Sequence, residues 1–111
     1  MSSVTILNLP GPLPLKVTFP APTDGPVSFA VSGSASSTTA GQSVGVTVMF
    51  DRDIIGTCSV FCNKAGSHQT LIPALLTASI PGSGTHAIAL MPATPSTQSD
   101  ANDFYQVTLL Y

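Results

Sequence analysis

The strongest constraint on this chain is a two-residue alternation of apolar and small or polar side chains, repeated between turn-forming residues. Val44, Val46, Val48 and Phe50 alternate with Ser43, Gly45, Thr47 and Met49. Val27, Phe29 and Val31 alternate with Ser28, Ala30 and Ser32, and His86, Ile88 and Leu90 with Ala87, Ala89 and Met91. Alternation of this kind puts one face of an extended strand in a core and the other in water. No segment carries a helical period, and nine glycines and ten prolines are spread along the chain, which breaks any long helix. Short alternating segments separated by turns predict an all-β, two-sheet antiparallel β-sandwich of about eight strands, a jelly roll or, as the alternative, an immunoglobulin-like sandwich.

The strands expected are Val4 to Leu9, Leu13 to Phe19, Val27 to Ser32, Val44 to Phe50, Ile54 to Phe61, Thr70 to Ser79 bent at Pro73, His86 to Met91, and a last strand ending at Tyr111. Ser34 to Gln42 and Pro92 to Asp103 read as polar loops. Residues 1–26 are proline-rich and read as an N-terminal arm or edge strands, since a proline cannot donate to a sheet ladder. With 111 residues and neither an internal repeat nor a linker, the chain reads as one domain, 1–111. Its end, Tyr105, Val107, Leu109 and Tyr111 against Gln106, Thr108 and Leu110, predicts a central strand held down on both sides.

Charge narrows the function classes. Only 7% of residues are charged: three basic, five acidic, every acid an aspartate. Three basic side chains cannot neutralise a phosphate backbone, so nucleic acid is not an expected partner. No apolar run approaches the ~20 residues that span a bilayer as a helix, so no membrane insertion is expected. Met1 to Pro10 lacks the basic and apolar regions of a secretory signal. Cys58 and Cys62 would sit ~13 Å apart along one strand, too far for a disulfide, so two free thiols suited to cytoplasmic synthesis are expected. Localisation beyond that is open, with non-classical export or display on a particle as the other routes. A zinc site from Cys58, Cys62 and His68 lacks a fourth ligand.

Two polar clusters are candidate ligand sites. Asp100, Asn102 and Asp103 offer oxygen ligands that suit calcium, or an Asx turn that launches the last strand. No cofactor is expected apart from that calcium alternative. Asp51, Arg52 and Asp53 form either a hairpin tip or a site presenting the chain's one arginine to a carboxylate or a sugar hydroxyl. His68 and His86 are the two side chains that titrate near neutrality. No nucleophile elbow and no phosphate-binding glycine motif is present, so an enzyme is not expected. A small hydrolase would need one of these histidines beside a serine and an aspartate, or carboxylates paired between the two clusters.

The hairpin Val44 to Asp53, the segment Gly84 to Leu90 and the ending Phe104-Tyr105-Gln106-Val107-Thr108-Leu109-Leu110-Tyr111 resemble the jelly-roll family of tumour necrosis factor and the heads of complement-type collagenous proteins, over roughly the last 70 residues. The resemblance implies a homotrimer that binds a receptor, protein or sugar without catalysis, its last strand beside the threefold axis. Tyr105 or Tyr111 then lies at the subunit interface. The expected function is a non-enzymatic oligomeric recognition module for a glycan or cell-surface receptor, lectin-like. The alternative is a structural or virion-type protein such as a phage tail or decoration domain.

Overall fold

The computed structural model describes residues 1–111 as ten β-strands with no helix, in two antiparallel sheets. The strands are β1 (Ser3–Pro10), β2 (Leu15–Pro20), β3 (Gly25–Ser37), β4 (Gln42–Phe50), β5 (Asp53–Cys62), β6 (Gln69–Thr70), β7 (Ala74–Ile80), β8 (Thr85–Pro92), β9 (Thr97–Gln98) and β10 (Phe104–Leu110). In the first sheet β10 lies between β1 and β3, and β3 also pairs with β7 and with the two short strands β6 and β9. The second sheet runs β2-β8-β4-β5. The all-β sandwich read from the alternation is therefore the fold.

The alternating residues meet where the two sheets face each other. Val27, Phe29 and Val31 of β3, Val44, Val46, Val48 and Phe50 of β4, Ile88 and Leu90 of β8, and Tyr105, Val107 and Leu109 of β10 are all buried in one core. Burying an aliphatic or aromatic side chain contributes roughly 1.5–3 kcal/mol, so this cluster is the main source of stability. Phe19, Phe29 and Phe50 pack with ring centroids 5.5–6.5 Å apart at one end of it.

Three local readings change. Ser34 to Ser37 continue β3 rather than opening a loop, because β6 and β9 pair with them and satisfy their backbone groups. The long loop after Pro92 contains β9. Thr70 to Ser79 is not one bent strand: β6 ends at Thr70 and β7 begins at Ala74, on either side of Pro73, which has no N–H to give. The last strand is held at its end by reciprocal backbone hydrogen bonds between Ser2 and Tyr111.

Tyr105, expected at a subunit interface, belongs to the core of the single chain. It is 0% exposed, since β10 is an inner strand of its sheet and Tyr105 points at the opposite sheet. Its ring covers Gly33, its cross-strand partner, where a Cβ would collide with Cδ1 of the ring. Tyr111 stays exposed and lines a cleft of about 390 Å³ between β1 and β2, together with Val4, Ile6, Thr18 and Phe19. Cys58 and Cys62 are free and buried, and the Cys58 thiol donates to the Ile72 carbonyl at 2.9 Å.

Candidate functional site

The loop leading into β10 folds back on itself through its own aspartates. The Asp100 carboxylate accepts the Asn102 N–H at 2.8 Å, and the Asp103 N–H donates to the Asp100 carbonyl at 3.0 Å. This is the Asx-turn geometry open to the sequence, and it directs Phe104 and Tyr105 into the strand. Asp103 is 1% exposed, and its buried carboxylate ties three separate segments together. It accepts the Ser34 hydroxyl of β3 at 2.8 Å, the Asp100 N–H at 2.9 Å and the His68 Nδ1–H at 2.7 Å. Burying a carboxylate is costly unless its lone pairs are used, and here three donors use them. Ser99 is fixed from the other side: its hydroxyl bonds the Tyr105 hydroxyl at 2.9 Å and accepts the Leu13 N–H at 3.2 Å. Burial pushes the Tyr105 hydroxyl up to about 12, despite the Ser99 bond, so it stays protonated.

His68, on the segment between β5 and β6, completes the cluster. Its Nε2 lies 3.6 Å from Asp100 Oδ2, and both side chains are substantially exposed. The hydrogen bond to Asp103 holds the imidazole pKa above the ordinary histidine value, and the Asp103 and Asp100 charges add to this. His68, Asp100 and Asp103 can each turn one ligand atom to a common point, within 4.8 Å of one another. As arranged, the Asp103 oxygens and Asp100 Oδ1 already accept protein donors, while Asp100 Oδ2 and the Asn102 side chain take part in no protein hydrogen bond.

The second cluster lies toward the other end. Asp51 sits at the β4–β5 tip with φ 55°, a left-handed conformation that aspartate tolerates. Its carboxylate accepts the Ala87 N–H at 2.9 Å and the His86 Nδ1–H at 2.8 Å. Desolvation raises the Asp51 pKa, but the bonds from His86 and Ala87 outweigh it and the net shift is downward. Arg52 and Asp53 are exposed.

The two carboxylate groups are not brought together. β3 pairs with Ile80 at Gly25, near the Asp51 end, and reaches Asp103 at Ser34, nine residues or ~30 Å further along. Paired acid–base carboxylates across the two clusters therefore do not form. Neither imidazole is hydrogen-bonded to a serine: the Ser34 hydroxyl contacts Asp103 rather than His68, and His86 contacts Asp51 and Gly82. A Ser-His-Asp relay is not assembled at either end. The zinc combination also fails, since both thiols lie in the core and His68 belongs to the Asp103 cluster.

Sequence reading placed Asp100, Asn102 and Asp103 together but missed the partners Ser34 and His68. No local pattern marks them, because His68 is 35 and Ser34 69 residues from Asp103.

No known protein family and no curated protein matches this chain in sequence. Among solved structures it is similar to the EclA C-terminal domain, described as a sugar-binding protein. The match has a TM-score of 0.52 at 19% identity and covers 97% of this chain and 76% of that one. At that identity the likeness establishes the shared β-sandwich fold.

Proposed function

We propose that the chain is a non-enzymatic, lectin-like module that binds a glycan through the loop Asp100–Asp103 and His68. The observation that carries this reading is a polar, half-exposed cluster built on a buried anchor. Asp103 is locked inside, while Asp100, Asn102 and His68 face water with hydroxyl-matching donors and acceptors. Groups held in place before the ligand arrives lose little entropy on binding, which suits the many weak hydrogen bonds of a sugar. The sugar-binding description of a structural neighbour supports the same class. Calcium on Asp100, Asn102 and Asp103 is the cofactor arm of the proposal, and it requires the loop to release some of its internal bonds. Arg52 and Asp53 form a second candidate contact for the glycan.

The module is proposed to act as a homotrimer, in the manner of the tumour necrosis factor jelly rolls, with Tyr111 rather than Tyr105 near the axis. Exposed Phe104, Leu75 and Tyr111 and the scarcity of charge support self-association.

Glycan-array binding with and without calcium, followed by calorimetry on the hits, tests the function. Asp100→Ala and Asn102→Ala should each weaken binding at least tenfold with the fold unchanged. No glycan retained in either condition refutes the reading and favours the particle-assembly alternative. Light scattering tests the assembly separately: a monomeric mass removes the trimer and leaves the glycan reading standing.

A further inference from the structure

His86, at the head of β8, has an acceptor against each ring nitrogen. Nδ1 lies 2.8 Å from Asp51 Oδ2, and Nε2 lies 2.8 Å from the Gly82 carbonyl oxygen. Neither a carboxylate nor a carbonyl can donate, and a neutral imidazole carries one N–H. Both contacts are satisfied together only by the doubly protonated ring. The side chain is 11% exposed, packed against Phe50 (ring centroids 5.5 Å apart) and Phe19 (6.4 Å). Water therefore has little room to substitute for a lost partner.

The two acceptors belong to different surface loops. Asp51 is the tip of the β4–β5 hairpin, and Gly82 is in the Pro81–Gly84 turn between β7 and β8. The Asp51 carboxylate is held independently by the Ala87 N–H, and the Asp51 N–H donates to the Ala87 carbonyl. The Pro81–Gly84 turn has a weaker hold: apart from His86, the Gly84 carbonyl accepts the Ala21 N–H at 2.9 Å. Of the groups that face the imidazole, Phe19 of β2, Phe50 of β4 and the Gly82 carbonyl are uncharged, and Asp51 is the one ionised partner.

We propose that His86 is a pH-operated latch: as an imidazolium it bolts the Pro81–Gly84 turn to the Asp51 hairpin tip, and on losing one proton it releases the turn. The remaining proton stays on Nδ1, because the charge-assisted bond to Asp51 is the stronger. Nε2 then presents a lone pair to the Gly82 oxygen, the contact opens, and the turn swings free together with its grip on Ala21. The Asp51 tip keeps its place through Ala87. The device lies at the opposite end of the sandwich from the Asp100–Asp103 loop, on the hairpin tip that also carries Arg52 and Asp53.

The sign follows from linkage. Two acceptors raise the His86 pKa in the latched form, the bond to Asp51 first and the Gly82 carbonyl second. The latch is closed below the ordinary histidine range and opens as pH rises through the raised value. Each pKa unit between the latched and released forms makes opening about tenfold easier on the alkaline side.

Nuclear magnetic resonance of the whole chain between about pH 5 and 9 tests this, following the ring carbons of both histidines and the exchange protection of the Ala21 and Ala87 amides. His86 is expected to titrate above the ordinary histidine range. Across that titration, corrected for intrinsic exchange, protection at Ala21 should fall several-fold while Ala87 holds. In Asp51→Asn the His86 titration should move down and Ala21 protection should lose its pH dependence. His86 titrating at or below the ordinary value overturns the latch, and so does Ala21 protection that stays flat through the titration. If Asp51→Asn does not fold, the wild-type titration and the Ala21 profile decide alone.

Discussion

Replacing Asp103 with alanine is the sharpest test of how the candidate site is held. The variant removes the acceptor of three hydrogen bonds: from the Ser34 hydroxyl at 2.8 Å, the Asp100 N–H at 2.9 Å and the His68 ring at 2.7 Å. His68 is half exposed and rehydrates, so its share is left out of the sum. The other two donors face a charged acceptor that is 1% exposed, where each bond is worth about 1.5–3 kcal/mol. Removing a buried charge returns part of that, so the lower figure applies to both, and the total loss is about 3 kcal/mol. A domain has roughly 5–15 kcal/mol in all, so the variant should fold but lose ~12 °C of melting temperature at about 4 °C per kcal/mol. Urea unfolding followed by tyrosine emission reads this directly, because the chain has no tryptophan and Tyr105 adjoins the loop. The slope with denaturant should not change, since the same surface is exposed on unfolding. Ser34→Ala leaves the buried carboxylate one donor short and should cost about 1.5–3 kcal/mol, and the double variant should cost less than the sum. An Asp103→Ala variant within ~0.5 kcal/mol of the parent would refute the buried anchor.

Other perturbations have equally definite outcomes. Gly33→Ala drives a methyl group against the Cδ1–Cε1 edge of the Tyr105 ring and should destabilise by about 1–3 kcal/mol in the same assay; a neutral result would mean the ring does not cover the glycine. Gly45→Ala drives a Cβ into the Cys58 carbonyl across the β4–β5 ladder, and a comparable loss of stability is expected. Cys58 and Cys62 are buried, and burial pushes the Cys58 thiol pKa up, so neither should react with a thiol reagent until the chain is unfolded, when two groups should be counted. Stability measured against pH should have two limbs. The raised histidine pKa values contribute stability that is present below the ordinary value and is lost as pH rises through the raised one. The lowered Asp51 pKa contributes stability that is present above the ordinary carboxylate value and is lost as pH falls through the lowered one. His68→Gln and His86→Gln should flatten the alkaline limb, and a pH profile identical to that of the parent would contradict the assignment.

The sandwich was legible in the chain because alternation is local. Each of Val44, Val46, Val48 and Phe50 shows its face through neighbours two residues away, and a core-facing strand can be read without knowing its partner. The Asx turn at Asp100 to Asp103 was legible for the same reason, since the Asp100 carboxylate accepts the N–H two residues on and the Asp103 carboxylate the N–H three residues back. Strand pairing was not legible. Ser34 to Ser37 look like a loop because small polar residues carry no face preference, and only β6 and β9 arriving alongside make them strand. Tyr105 and Tyr111 share one alternation phase, yet one is in the core and the other at the surface. The sheets overlap at Tyr105 and end before Tyr111, a fact of three-dimensional extent. His68 and His86 gained their carboxylate partners from 35 residues away, through β3–β6 pairing in one case and the β4–β8 ladder in the other. Face and turn are written in the residues next to one another. Which strand lies beside which is decided by the burial of all of them at once, and with it which charges meet.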